Sequence, residues 1–550
     1  MTLGFVGRSC FAVWVFGVSL VWGCGSEKAP AAATGGVVST GGISTGGIST
    51  GGTTGGTTGG TIDRVEVPAV KIKASNTDAK DLFGFSLALS ADGSTLAVSA
   101  AGEASAATGV DGNQTDNSLR DAGAVYVFEK SAAGWLQRAY LKPRGLAAGG
   151  FFGRALALSA DGSTLVVGGY AESGFAAGID GPPVTNPEAA PGSGAAYVFV
   201  RDQGTYRLES YIKPEMGETF DVFAMSLALS SDGDTLAVGA PSESSGAKGV
   251  NGDQSDNSLP QAGAVYVFVR RAGVWAAQAY LKASDPGSND YFGDSVALSA
   301  DGNTLAIGAD QADGAARAPA GNLVPDSMPD AGAVYLFVRA GDSWSQQALV
   351  VSPNPDVEDN FGKTVALSAD GNTLLASVPS EDSAATGVDG DAADNTLSSS
   401  GAAYVFRRNA GQWQKSAYLK ASAPDGTDQF SWKLALSADG KFAAVTAISE
   451  ASAAVGIDGD QRDNSSSSAG AVYLFEERAG KFTQRAYVKA PSVHGGDWFG
   501  QGLALSGDGT VLAVGAPFED SAGTGVNPGA SDAVAADSGI VYVLDSGRQN

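Results

Sequence analysis

Short apolar runs separated by turn residues organise this chain, and their period is far longer than that of an amphipathic helix. Runs such as SLALS and TLAVGA stand on either side of an Asp-Gly pair, which is typical of a tight β-hairpin. A third run, as in GAVYVF, follows a long polar stretch, and a fourth, as in WAAQAYLKA, comes shortly after it. The pattern predicts units of four antiparallel strands.

The four-strand unit recurs seven times, and three landmarks align the copies. The period is constant, as between Asp232 and Asp301, except for one slightly longer step in the second copy, as between Tyr126 and Tyr197. An aromatic residue is expected to open the first strand of each copy, at Phe83, Phe152, Phe223, Phe292, Phe361, Phe430 and Phe499. The Asp-Gly turn starts at Asp92, Asp161, Asp232, Asp301, Asp370, Asp439 and Asp508, and the tyrosine of the third run is at Tyr126, Tyr197, Tyr266, Tyr335, Tyr404, Tyr473 and Tyr542.

These units predict an all-β, seven-bladed β-propeller over residues 63–550, with an open solenoid as the alternative. Runs such as AVYVF are apolar at nearly every position, which indicates strands buried on both faces. The seventh copy ends after its third run, at 541–544, whereas Ala69–Ser75 resembles the fourth run of the other copies. This N-terminal segment should therefore complete the last blade and close the ring.

Residues 1–62 have a different character from the repeats. An apolar run from Phe11 to Trp22 follows Arg8 and leads to Cys24, which resembles the lipobox of bacterial lipoproteins. Residues 1–24 are thus expected to be a lipoprotein-type signal peptide with Cys24 as the lipidated mature N-terminus, simple secretion being the alternative. Residues 25–62, rich in Thr, Gly and Ser, predict a disordered stalk. The chain should be exported and anchored to the membrane of a bacterial cell envelope.

Composition narrows the functional classes. A formal net charge of −25 and a pI near 4.3 argue against a nucleic-acid partner, because phosphate binding needs clustered Lys and Arg. Both cysteines, Cys10 and Cys24, precede the repeats, and His494 is the only histidine. No nucleophile motif accompanies them, so we expect a non-enzymatic, monomeric head. The alternatives are a carbohydrate-active enzyme with paired carboxylates and a purely structural envelope lipoprotein.

The long loops between the second and third strands carry recurrent oxygen-bearing side chains in four blades. Such oxygens along a Gly-containing turn predict Ca²⁺-clamped loops, with Asx-turns, in which Asp and Asn bind their own backbone, as the alternative. The candidate ligands are Glu103, Asp111, Asn113, Asp116 and Asn117 in blade 1; Glu243, Asn251, Asp253, Asp256 and Asn257 in blade 3; Glu381, Asp389, Asp391, Asp394 and Asn395 in blade 5; and Glu450, Asp458, Asp460, Asp463 and Asn464 in blade 6.

Residues that recur in every blade most often build the ring, so residues outside the repeat are better candidates for ligand binding. These are Trp432, Trp498, His494 and the unusual blade-four loop at 310–330. The long loops and the links between blades should leave the propeller on one face, which is acidic. An extracellular protein or glycan is the expected partner of that face.

The Phe-Gly pair and the later Gly-Ala-Pro resemble the FG-GAP repeats of integrin α-subunit propellers, and the similarity covers 64–545. Phe499-Gly500 with Gly515-Ala516-Pro517 is complete, whereas blade 3 has Phe223-Ala224 and blade 6 has Phe430-Ser431. The resemblance, closest to FG-GAP proteins of bacterial cell surfaces, implies a seven-bladed binding or adhesion platform. Calcium-bearing integrin blades have an Asp-rich loop between strands one and two; the tight Asp-Gly turn here has no room for it.

Overall fold

The computed structural model describes residues 69–145, 149–173, 176–182, 191–314, 328–529 and 534–545. The expected signal peptide, the lipidation at Cys24 and the stalk lie outside these residues. All secondary-structure elements in the described part are β-strands, and no helix there is long and apolar enough to cross a membrane. The sequence prediction of an all-β protein is confirmed.

Seven four-stranded antiparallel sheets form the blades. Blade 1 contains β2 (Phe83–Leu89), β3 (Thr95–Ala100), β4 (Ala124–Ser131) and β5 (Gly134–Leu141); blade 2 contains β6 (Leu156–Leu158), β7 (Thr164–Gly169), β8 (Ala195–Asp202) and β9 (Thr205–Ile212). Blade 3 contains β10 (Ser226–Leu229), β11 (Thr235–Ala240), β12 (Ala264–Arg271) and β13 (Val274–Leu281); blade 4 contains β14 (Ser295–Leu298), β15 (Thr304–Ala309), β16 (Ala333–Ala340) and β17 (Ser343–Val350).

The last three blades complete the ring. Blade 5 contains β18 (Val365–Leu367), β19 (Thr373–Val378), β20 (Ala402–Asn409) and β21 (Gln412–Leu419); blade 6 contains β22 (Phe430–Leu436), β23 (Phe442–Ala447), β24 (Ala471–Arg478) and β25 (Lys481–Val488). Blade 7 contains β26 (Gly502–Leu505), β27 (Val511–Ala516), β28 (Ile540–Asp545) and, as its fourth strand, β1 (Val70–Ile72). β1 pairs antiparallel with β28, opposite Val541 to Val543, so the predicted closure by the N-terminal strand is confirmed.

The first strands of neighbouring blades contact one another around the whole ring, which places them innermost. At the Asp-Gly turns a closed circle of backbone hydrogen bonds joins the blades. The N–H of Ala91 donates to the carbonyl of Ala160 over 2.9 Å, the same bond repeats from turn to turn, and Gly507 finally donates to Ala91 over 2.8 Å. The remaining members of this circle are Ser231, Ala300, Ala369 and Ala438. The Asp-Gly turns therefore connect neighbouring blades in addition to closing the hairpins within each blade.

The hydrophobic core lies between blades. The second strand of blade 3, Thr235–Ala240, is buried at all six positions, as strands covered on both faces must be. One cluster joins Val127 of blade 1 to Val167 and Tyr197 of blade 2. Within each blade the landmark phenylalanine packs against the landmark tyrosine, as Phe152 does edge-on to Tyr197 with ring centres 5.3 Å apart.

The landmark phenylalanine precedes the first strand in five blades and opens it only at Phe83 and Phe430. The residue after it has a positive φ in every blade, between 69° at Ala224 and 109° at Gly500. This left-handed residue breaks the ladder, as the register shift between Phe83 and Leu87 shows. The expectation that the aromatic opens the strand is therefore wrong for those five blades.

Candidate functional site: the long-loop face and the residues that build it

Two faces of the ring differ in their connections. The Asp-Gly turns and the Ala-Gly turns between the third and fourth strands lie on one side, which we call the short-turn face. The loops between second and third strands and the links between blades lie on the other, which we call the long-loop face. The predicted candidate residues of the loops all belong to the long-loop face.

The glutamate of each candidate loop is buried in an ion pair with a lysine of the same blade. In blade 3 the ammonium of Lys282 lies 2.7 Å from Glu243 Oε2, and the hydroxyl of Tyr280 donates to Oε1 over 2.8 Å. The equivalent lysine–glutamate pairs are Lys142 and Glu103, Lys420 and Glu381, Lys489 and Glu450, and Lys73 and Glu519. Because Lys73 follows the closure strand β1, the last pair also fastens the N-terminal segment to blade 7.

Blade 4 lacks the cluster of glutamate, tyrosine and lysine that blade 3 forms with Glu243, Tyr280 and Lys282. One repeat period after Glu243, Tyr280 and Lys282, the chain has Ala312, Leu349 and Val351, all three apolar and packed in one cluster. A lone buried charge would be strongly destabilising, whereas apolar residues of suitable volume replace a whole ion pair at little cost. The joint loss indicates that the lysine–glutamate cluster holds the blade together rather than serving as a ligand site. Sequence reasoning missed the lysine, although its constant spacing from the glutamate was visible.

The Asp and Asn residues of the candidate loops bind backbone N–H groups of their own blade. In blade 3, Asn251 Oδ1 accepts from the N–H of Tyr280, and Asp253 and Asp256 each accept from the N–H two residues on, all at 2.9 Å. The contacts of Asp253 and Asp256 are those of the Asx-turn alternative, whereas Asn251 fixes the loop to the fourth strand. Their counterparts are Asp111, Asn113 and Asp116 in blade 1, Asp389, Asp391 and Asp394 in blade 5, and Asp458, Asp460 and Asp463 in blade 6.

The last amide of each candidate loop connects two segments of the long-loop face. Asn257 Nδ2 donates to both carboxylate oxygens of Glu218 over 2.8 Å, which joins the loop to the link that enters its blade. Asn117, Asn395 and Asn464 bind Asp78, Asp356 and Asp425 in the same way. The candidate residues are thus brought together as cross-links of loop, strand and link.

Nothing in the described ranges gathers three or more His, Cys, Asp or Glu side chains into a group that could hold a metal ion. The glutamates face lysines and the aspartates face backbone N–H groups, so the arrangement as it stands does not fit a Ca²⁺ clamp. The hypothesis of calcium-clamped loops is not tested by these contacts and needs an experiment in solution.

Addition of Ca²⁺ or of a chelator to the full chain is expected to leave its melting temperature unchanged, since the oxygens that would bind the ion already have partners. Differential scanning calorimetry at matched ionic strength measures this directly, with Mg²⁺ as the control for general screening of the acidic loops. A rise specific to Ca²⁺, lost in Asp253→Asn, would restore the clamped-loop hypothesis.

A second recurrent carboxylate lies two residues before the landmark phenylalanine. Asp359 is buried, and its Oδ2 accepts from the N–H of Asp356 over 2.8 Å, which caps the turn that enters blade 5. Burial raises the pKa of Asp359 to about 8 despite that hydrogen bond. Burial also raises the pKa of Asp81 and Asp428 to about 7, and of Asp221, Asp290 and Asp497 to about 6.

The propeller is therefore expected to become more stable as the pH falls from 8 to 5. The folded aspartates take up protons near pH 6 to 8, whereas in the unfolded chain they do so only near pH 4, so their contribution to stability is lost as pH rises through the folded pKa values. We expect a gain of several kcal/mol in the free energy of unfolding, measured by urea denaturation. Asp359→Asn should flatten this slope, while the exposed Asp202→Asn should not.

Side chains outside the repeat concentrate at the inner rim of the long-loop face. The residue before the landmark phenylalanine has a φ between 48° and 58° in all seven blades, yet its identity differs in each: Leu82, Phe151, Val222, Tyr291, Asn360, Gln429 and Trp498. The common backbone belongs to the fold, whereas the seven half-exposed side chains give each blade a different chemistry at this position. We call these seven residues the inner rim.

Aromatic pairs and exposed apolar residues add to this face. Phe151 stacks on Tyr170 with ring centres 5.6 Å apart, and Trp498 lies edge-on to Phe518 at 4.9 Å. Of the eight large apolar side chains exposed in the described ranges, six belong to its loops and links: Met216, Phe220, Val357, Val455, Ile457 and Val534. The other two, Leu136 and Val274, lie near the start of fourth strands, toward the short-turn face.

The other candidates predicted from the sequence lie in different parts of the structure. Trp498 belongs to the inner rim, whereas His494 is exposed beside Asp497, with Nδ1 3.6 Å from a carboxylate oxygen. Trp432 lies in the innermost strand, where its indole N–H donates to Gln501 Oε1 over 3.0 Å. Of the blade-four loop, residues 315–327 lie outside the described ranges; Asp310 is buried and paired with Lys363.

Comparison with known proteins gives one family and several similar structures. The family model for the FG-GAP repeat matches residues 275–337, which run from the fourth strand of blade 3 into the third strand of blade 4. No curated protein sequence matches. The landmarks of the matched unit recur in all seven blades at the same positions.

Three solved structures are among those similar to this chain. Kuenenia stuttgartiensis hydrazine synthase is 14% identical, with 83% of this chain and 96% of that one covered and a TM-score of 0.43. A putative 6-phosphogluconolactonase from Bacteroides uniformis is 11% identical, with 76% and 94% covered and a TM-score of 0.40. The Cps50 (Swd1) β-propeller domain of Myceliophteria thermophila is 10% identical, with 87% and 99% covered and a TM-score of 0.45.

Proposed function

We propose that this FG-GAP-repeat β-propeller is a non-enzymatic binding or adhesion module that contacts an extracellular protein or glycan with its long-loop face. The inner rim carries the proposal: its backbone is the same in all seven blades and its side chain is different in each. A ring that needed these positions only for folding would have no reason to vary them from Leu82 to Trp498.

The chemistry of the face supports such a partner. The aromatic pairs offer flat surfaces that suit both protein side chains and sugar rings, and exposed apolar residues such as Phe220 are typical of interaction sites. The surrounding loops are rich in carboxylates, which favour a basic or neutral partner over an acidic one.

The test uses the full chain on arrays of glycans and extracellular matrix proteins. A hit should be lost in the double variant Phe220→Ala/Trp498→Ala and retained in Val274→Ala, which removes an exposed apolar residue near the short-turn face. Binding that survives the double variant but not Val274→Ala would place the partner on the wrong face and refute the proposal.

We further infer that the head is carried on the cell envelope by a lipid at Cys24, with residues 25–62 as its spacer. The sequence resemblance to a lipobox supports this. Metabolic labelling with a fatty-acid analogue should mark the wild type and Cys10→Ser but not Cys24→Ser. Label on Cys24→Ser would refute it.

A further inference from the structure

One residue per blade, within or just before the innermost strand, belongs to a ring of side chains around the axis. This residue follows the landmark Phe-Gly pair or its variants, and it too differs in every blade: Phe85, Arg154, Met225, Asp294, Lys363, Trp432 and Gln501, which we call the channel ring. Its contacts run from neighbour to neighbour. The guanidinium carbon of Arg154 lies 4.4 Å from the ring centre of Phe85, and Lys363 Nζ lies 2.9 Å from Asp294 Oδ2.

The residue after the channel ring is small in six blades and is Lys433 in blade 6. The other blades have small residues there, namely Ser86, Ala155, Ser226, Ser295, Thr364 and Gly502. Two of the serines bind the following blade directly: Ser226 donates to the carbonyl of Gly293 over 2.7 Å, and Ser295 to that of Gly362 over 2.8 Å. A lysine side chain is too long for such a contact, and we infer that the ammonium of Lys433 lies in the channel.

The groups that act electrostatically on Lys433 support this placement of its ammonium. They are Arg154 of blade 2, Asp294 of blade 4 and Lys363 of blade 5, all members of the channel ring and all from other blades. Across the described ranges, no hydrogen bond or ion pair involves its ammonium. The guanidinium of Arg154 has ring contacts with Phe85 and Tyr170 and no carboxylate within ion-pair distance there.

Charges inside the described part of the channel do not balance. Lys363 bridges both carboxylates, Asp294 at 2.9 Å and Asp310 at 3.0 Å. Asp294 also attracts Arg154 and Lys433, but neither cation has an ion-pair partner among the described residues, so the three cations exceed the two carboxylates by one charge. Burial, reinforced by Arg154, lowers the pKa of Lys433 to about 8. Enclosed cations without partners are unfavourable, and in a chain of net charge −25 they are the opposite of what composition predicts.

We propose that Arg154 and Lys433 form a binding site for a small oxyanion, a carboxylate or a phosphate or sulfate group, in the central channel. Arginine and lysine are the residues that bind such groups by charge-assisted hydrogen bonds. Phe85 and Trp432 provide apolar surface for an organic part of the ligand. The site is independent of the partner proposed for the long-loop face.

The test measures thermal shifts and calorimetric binding of the full chain with sulfate, phosphate and acetate. Each variant removes one cation: Lys433→Ser, which installs the residue found in blades 1, 3 and 4, and Arg154→Gln. Both should weaken binding of the best anion by at least about tenfold, the effect of one lost charge-assisted hydrogen bond. Lys248→Ser, which removes an exposed lysine from the long loops, controls for general charge and should bind as the wild type.

A pH series adds a readout that a merely structural role would not give. Sulfate keeps its charge over the range from about pH 7 to pH 9, whereas Lys433 loses its proton near its lowered pKa of about 8. Affinity should therefore fall across this range in the wild type and stay level in Lys433→Ser. In Arg154→Gln the fall should move to higher pH, because Arg154 contributes to the lowered pKa of Lys433.

Two results would overturn the channel site. One is that none of the three anions raises the melting temperature; the other is that Lys433→Ser binds as tightly as the wild type. Phe220→Ala should leave anion binding unchanged, so failure of the partner proposal and failure of the channel site are distinguishable. Preference for acetate over sulfate and phosphate would identify a carboxylate ligand.

Discussion

Alanine in place of Glu243 is expected to destabilise the propeller by about 3–5 kcal/mol. The change leaves the ammonium of Lys282, whose side chain is fully buried, without the carboxylate 2.7 Å away, and it also removes the acceptor of the Tyr280 hydroxyl. Burial already lowers the pKa of Lys282, and the ion pair is what opposes this shift. Chemical denaturation at neutral pH measures the loss.

Blade 4 supplies the control for this variant. The triple change Glu243→Ala, Tyr280→Leu and Lys282→Val copies the residues that blade 4 has at these positions, and it should restore most of the lost stability because no buried charge is left unpaired. A triple variant as unstable as Glu243→Ala would show that the cavity, rather than the unpaired lysine, determines the loss.

Gly263→Ala is the second substitution with a large expected effect, about 2–5 kcal/mol. Gly263 has a φ of 81°, and a Cβ there would lie 2.2 Å from the carbonyl oxygen of Phe292 in the next blade. The contact is with backbone, so relief would require blades 3 and 4 to separate. A glycine with a positive φ and the same overlap stands at this position in all blades, at Gly123, Gly194, Gly332, Gly401, Gly470 and Gly539.

Gly273→Ala isolates the contribution of the blade contact. Gly273 has nearly the same φ, 78°, but nothing lies within 4 Å of its Cβ position. Only the left-handed backbone is penalised there, so about 1–2 kcal/mol is expected. Equal losses in the two variants would contradict an interblade role for Gly263, because they would trace both effects to φ alone.

The sequence identified many residues of the candidate site but did not show which groups they contact. The spacing of Asp253 and Asp256 suits a cation site and an Asx-turn equally well, so the sequence leaves both alternatives open. The two arrangements differ in whether backbone N–H groups lie close to the carboxylates. In the structure the N–H groups of Ser255 and Ser258 lie 2.9 Å from Oδ1 of Asp253 and Asp256. Local spacing does not distinguish the two arrangements.

The sequence by itself determined the number of blades, their four strands and the closing segment around Val70–Ile72. These follow from apolar runs, turn pairs and a fixed period, all of which are properties of neighbouring residues. Only the tertiary structure decided which charges meet. Arg154 and Lys433 are four blades apart along the chain and share one channel because ring closure brings the innermost strands of blades 2 and 6 to a common axis. A repeat shows that positions are equivalent, and the distances across the ring come from its closure.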